Sequence, residues 1–146
     1  MMKVRITIKG SQTVPDGDTE TFELVTDGEY IRREDGAELS YVESELTGYD
    51  GLTTTFFVEP EKITLSRAGG ATGDMVFSTV QKHHFLFDTG FGSITMGVGT
   101  RDVHTEFQGD GGRMVIRYDI DMNNAIVSRN EFEISFTRDE GNIWQS

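Results

Sequence analysis

Apolar and polar residues alternate along almost the whole chain. Val4, Ile6 and Ile8 are interleaved with Lys3, Arg5, Thr7 and Lys9, and the same two-residue period returns at Phe22 and Leu24, at Leu39 and Tyr41, and at Leu52, Thr54, Phe56 and Val58. It continues at Ile63 and Leu65, at Phe85 and Phe87, at Ile94, Met96 and Val98, from Met114 to Met122, and at Phe132, Ile134 and Phe136. A period of two belongs to a strand with one buried face. No run of apolar residues keeps the i, i+3, i+4, i+7 spacing of an amphipathic helix for three turns. Turn chemistry separates the runs: Pro15-Asp16-Gly17-Asp18, Asp27-Gly28, Asp35-Gly36, Gly48-Tyr49-Asp50-Gly51, Ala68-Gly69-Gly70, Gly109-Asp110-Gly111-Gly112 and Asn123-Asn124. Asp35-Gly36 and Asn123-Asn124 are the best hairpin candidates, because these residues accept positive φ at low cost.

The segments number roughly eight to ten, and their short connections favour antiparallel neighbours. A sheet of that many strands curls until its edges meet, which removes unpaired backbone groups. The expected fold is therefore all-β: an antiparallel up-and-down barrel formed by a single domain over residues 1–146. A two-sheet β-sandwich is the alternative, since alternation alone does not distinguish closure from stacking.

Composition narrows the partners. Thirteen Lys and Arg against twenty-five Asp and Glu give a net charge of -12, which repels nucleic-acid phosphates and anionic lipid surfaces. No nucleic-acid or membrane partner is expected. The chain has no cysteine, so disulfides, thiolate metal sites and a cysteine nucleophile are excluded together. The N-terminal residues alternate and do not form the apolar run of a signal peptide, so the expected location is cytoplasmic.

Short motifs spread along the chain carry a resemblance. Gly28-Glu-Tyr30-Ile-Arg, Leu39-Ser-Tyr41-Val-Glu43, Gly51-Leu-Thr-Thr54-Thr-Phe and Ile63-Thr-Leu-Ser-Arg67-Ala-Gly69 occur in the order and spacing of the YwiB-like family of bacterial proteins. Met75-Val-Phe77, Asp88-Thr89-Gly90-Phe91-Gly92, Thr100-Arg-Asp-Val, Gly111-Gly112-Arg-Met-Val-Ile-Arg-Tyr118 and Asn130-Glu-Phe-Glu-Ile-Ser-Phe extend the similarity over nearly the whole chain. The resemblance implies a lipocalin-like, or calycin, barrel, and it carries no activity with it.

Asp88-Thr89-Gly90, after apolar Phe85 and Phe87, has the form of an aspartic-protease catalytic loop. That chemistry needs two carboxylates sharing a proton, and the chain has no later apolar-apolar-Gly segment to cradle the loop. The family pattern places Pro where Gly90 stands and leaves the position of Asp88 variable. The resemblance thus implies that Asp88 ends a strand and that Gly90→Pro would be tolerated. Gly90-Phe-Gly92 and Gly97-Val-Gly99 lack the third glycine and the following helix of a dinucleotide loop. His83 and His84 are strand neighbours pointing to opposite faces, and no spacing joins them to His104. No G-x-S-x-G elbow is present. No catalytic residue, metal site or cofactor is therefore expected.

Polar residues in phase with apolar ones are the remaining candidates. Arg67 is in phase with Ile63 and Leu65, and Glu43 with Leu39 and Tyr41. Inward charges need partners. On one account Arg67 and Glu43 bridge each other at the barrel end. On the other, Arg67, Tyr41, Glu43 and Tyr118 form a ligand site, in the way fatty-acid-binding calycins use an interior Arg and Tyr. The leading reading is a non-catalytic barrel binding a small apolar or acidic ligand. An interaction or scaffold module with a filled barrel, with a homodimer as an option, and an enzyme using Glu43 and Arg67 remain as alternatives.

Overall fold

A computed structural model describes residues 1–43, 51–68, 74–88 and 90–139. These residues form ten strands and no helix: β1 (Met2–Thr13), β2 (Thr19–Arg33), β3 (Gly36–Val42), β4 (Thr53–Val58), β5 (Ile63–Ala68), β6 (Met75–Phe77), β7 (His83–Asp88), β8 (Ser93–Gln108), β9 (Gly111–Met122) and β10 (Ala125–Arg138). The expected turn residues Gly48-Tyr49-Asp50, Gly69-Gly70 and Thr89 lie outside the described residues. Since none of the described residues is helical, none belongs to a helix long and apolar enough to cross a membrane.

The strands make one antiparallel sheet in the order β6-β5-β4-β3-β2-β1-β10-β9-β8-β7. Chain neighbours are sheet neighbours throughout, except that β1 also pairs with β10 and the two sheet edges fall at β6 and β7. Those edges are consecutive in the chain and approach each other, with β6 against both β7 and β8. Fully buried Phe77 of β6 meets Tyr118 of β9 with ring centroids 4.7 Å apart. The sheet is therefore a nearly closed up-and-down barrel, and the two-sheet sandwich is set aside. Its connectivity is consistent with the calycin-like form that the resemblance implies.

Local sequence explains most of the turns, but Asp27-Gly28, expected to be one, lies inside β2, where Gly28 pairs with both Val4 and Tyr41. Asn123 and Asn124 have φ of 53° and 68°, the paired positive values of a type I′ turn, and they join β9 to β10 between the partners Met122 and Ala125. The β2–β3 hairpin turns at Glu34-Asp35, one residue earlier than Asp35-Gly36, and Gly36 already pairs with Arg33. Gly90 and Gly92 sit in the loop between the partners Asp88 and Ser93, with φ of 86° and 144°. Proline is fixed near -65°. The expected tolerance of Gly90→Pro is therefore corrected: this turn is built in a conformation closed to proline.

The inward faces of the strands fill most of the barrel. Val4, Ile6, Leu39, Ile63, Ile116 and Ile134 are each no more than 1% exposed and belong to one continuous core. The outward faces carry cross-strand ion pairs, such as Arg113–Glu133 at 3.2 Å and Arg117–Glu131 at 2.6 Å. The acidic residues that alternate along β10 are thus balanced by Arg residues on β9.

Candidate functional site

The polar residues inside the barrel are placed by strand register. Tyr41 of β3 lies opposite Thr54 of β4, and Thr54 lies opposite Arg67 of β5. Directly opposed residues in antiparallel ladders project from the same face. Tyr41, Thr54 and Arg67 therefore stand side by side on the inner surface. Glu43 lies just beyond the end of β3, but backbone pairing continues through it: its N–H donates to Leu52 O at 2.8 Å, and its carbonyl accepts from Gly51 N–H at 3.1 Å. Two residues beyond Tyr41 it keeps the inward phase. Its side chain is 1% exposed.

Tyr41, Glu43 and Arg67 line a cavity of about 460 Å³, and Thr54, between Tyr41 and Arg67 in the sheet, does not border it. Ile8, Leu24, Phe56 and Phe132 give it apolar walls, and Tyr41, Glu43 and Arg67 supply polar groups. Gln12, Phe22 and Glu23 also border it and are exposed, so the cavity reaches solvent on their side. Phe22 owes its position to Gly10, its partner across β1 and β2. A Cβ on Gly10 would fall 2.2 Å from the Phe22 ring, and that ring meets Phe132 edge-on at 6.4 Å. Glycine at position 10 thus lets an aromatic ring lie across the strand at the mouth of the cavity.

The electrostatics are unusual for a barrel core. Arg67 Nε and Glu43 Oε2 are 3.8 Å apart, within ion-pair reach and beyond hydrogen-bond length. Burial, with the Glu43 charge beside it, pushes the Tyr41 phenol above its ordinary range, while Arg67 offsets part of that rise. The phenol is close enough to feel Glu43 and Thr54, yet neither reaches the geometry of a full hydrogen bond. Both Glu43 carboxyl oxygens and the Thr54 hydroxyl, all buried, have no hydrogen-bond partner. Buried acceptors in this state are rare in native proteins, because an unmade hydrogen bond costs about 1–3 kcal/mol.

Of the four residues expected from sequence phase, Tyr41, Glu43 and Arg67 come together on the cavity. Tyr118 of β9 is buried and inward but does not line it. It packs on Phe132 at a centroid distance of 5.9 Å, and burial raises its phenol pKa while Arg67 partly lowers it. Thr54 was missed. Its signal was visible, since it shares phase with Phe56 and Val58, but a threonine within an apolar alternation reads as a β-former. Elsewhere, half-buried His83 and exposed His84 face opposite ways as expected, and exposed His104 pairs with Glu106 at 2.8 Å. Among the described residues no group of three or more His, Asp or Glu side chains could hold a metal ion. Asp88 ends β7, and Thr89 of the protease-like string lies outside the described residues.

Comparison with known proteins bears on the fold. A family model described as a domain of unknown function (DUF1934) matches residues 6–134. No curated protein matches the chain. Among solved structures, the crystal structure of ywiB protein from Bacillus subtilis is similar at 21% identity, with a TM-score of 0.79, covering 94% of this chain and 92% of that one. At that identity the likeness carries the barrel and nothing about what occupies it.

Proposed function

The chain belongs to the DUF1934 family of domains of unknown function, and from that premise we propose that it is a non-catalytic barrel that binds a small, largely apolar molecule in its interior. The observation that carries this reading is the cavity of about 460 Å³, walled by Ile8, Leu24, Phe56 and Phe132 and open past Phe22. Small-molecule sites fall roughly in the range 300–1,000 Å³ and combine apolar walls with a few placed polar groups. A scaffold with a filled barrel has no use for such a space. An enzyme built on Glu43 and Arg67 would need a reaction that neither the motifs nor the family supplies, so binding is the simpler use of the site. A cytoplasmic setting fits a chain with no cysteine.

Half-buried Leu24 is the residue to test, because a larger side chain there fills the cavity from the wall. Wild-type protein is expected to take up the neutral apolar dye Nile red with a saturable rise in fluorescence. Leu24→Trp should lose at least about tenfold in affinity while its circular dichroism spectrum stays that of the wild type. Unchanged dye binding in a folded Leu24→Trp variant would place the dye elsewhere and remove the support for an interior site.

A further inference from the structure

We propose that the ligand enters with a hydrogen-bond-donating head, an alcohol, primary amide or amine on an apolar body, and that Glu43 is the acceptor that selects it. This rests on the ligand-binding reading above and goes beyond it by fixing the chemistry of the buried end.

The unpartnered atoms of the cavity point to this class. Glu43 is 99% removed from solvent at its side chain, and its Oε1 and Oε2 each have no hydrogen-bond partner. A carboxylate can only accept. A guest that donates would satisfy atoms whose isolation is otherwise costly. A guest carrying its own carboxylate would add a like charge beside Glu43, with Glu23 a second one at the rim. It would also have to draw Arg67 away from Glu43, to which the guanidinium is already held at 3.8 Å. Among the described lining residues Arg67 is the sole cation, so no second positive group offsets that conflict.

The test is a competition series on one apolar body. Decanol, decanamide, decylamine and decanoate are titrated against Nile red bound to the wild-type protein. The donor-bearing heads should displace the dye at concentrations at least about tenfold lower than decanoate, the factor expected when buried acceptors are satisfied in one case and opposed in the other. Glu43→Gln, which replaces an acceptor oxygen by a donor amide of the same shape, should narrow or reverse that ranking. The wild-type ranking decides the matter even if the variant fails to fold. Decanoate competing as well as the donors overturns the proposal and leaves the interior site standing. A ranking unchanged in folded Glu43→Gln removes Glu43 from the role. Wild-type protein that takes up neither Nile red nor any of the four compounds overturns this inference and the binding reading together.

Discussion

At position 43 a carboxyl group is buried with neither oxygen hydrogen-bonded, and Tyr41 and Tyr118, both within the influence of the Arg67 charge, are buried too. Burial, reinforced at Tyr41 by Glu43, raises both phenol pKa values above the ordinary 10.0. Below pH 10 the folded and unfolded chains carry the same phenolic protons, so this contribution to stability is complete. As the pH rises past 10 the unfolded chain releases protons that the folded chain keeps, and stability falls. Alkaline titration should therefore show Tyr41 and Tyr118 ionising only as the barrel unfolds, with the late phenolate absorbance reduced in Tyr41→Phe and in Tyr118→Phe. Ionisation of either in the ordinary phenol range with the fold intact would contradict their burial. Phase along the strands was enough to find Tyr41, Glu43 and Arg67, because parity in a strand fixes the face. It could not separate Tyr118 from them, since which inward residues share one cavity depends on register and barrel curvature. Thr54 escaped because nothing in a linear pattern says whether an inward hydroxyl will find a partner.

Turns and strand phase carry the elements. Asn123-Asn124 was legible because paired positive φ has few sequence solutions, and the hairpin lies where those residues put it. Strand β8 was legible only in its first half. A register shift between Thr100 and Asp102 inserts an extra residue, so the inward set changes from Ile94, Met96 and Val98 to Val103 and Phe107. Periodicity read across that bulge breaks off, although the strand runs on to Gln108. At the β7–β8 loop the family pattern misled, because a proline elsewhere in the family does not fix φ in this chain. Gly90→Pro should destabilise the protein by about 2 kcal/mol or more, whereas Gly90→Asn, which tolerates a left-handed backbone, should cost about 1 kcal/mol. Urea denaturation of the two variants checks this ordering. Equal midpoints for Gly90→Pro and wild type would mean that the loop adopts another conformation.

For the whole molecule, alternation and short turns were sufficient to indicate an all-β barrel, because ten consecutive antiparallel strands leave two edges that closure brings together. The cavity was not legible. Whether a barrel interior is filled or open depends on how side chains from different strands interdigitate, and residues such as Gly10 and Phe22 decide it by volume and position, which hydrophobic patterning does not encode. Native mass spectrometry of the protein purified from cells under non-denaturing conditions tests the interior site most directly. A ligand-binding barrel should show an added mass that is lost on denaturation and absent from Leu24→Trp, and that mass should belong to a small, largely apolar molecule. A single peak at the mass of the bare chain, in protein that also takes up no apolar probe, would contradict it.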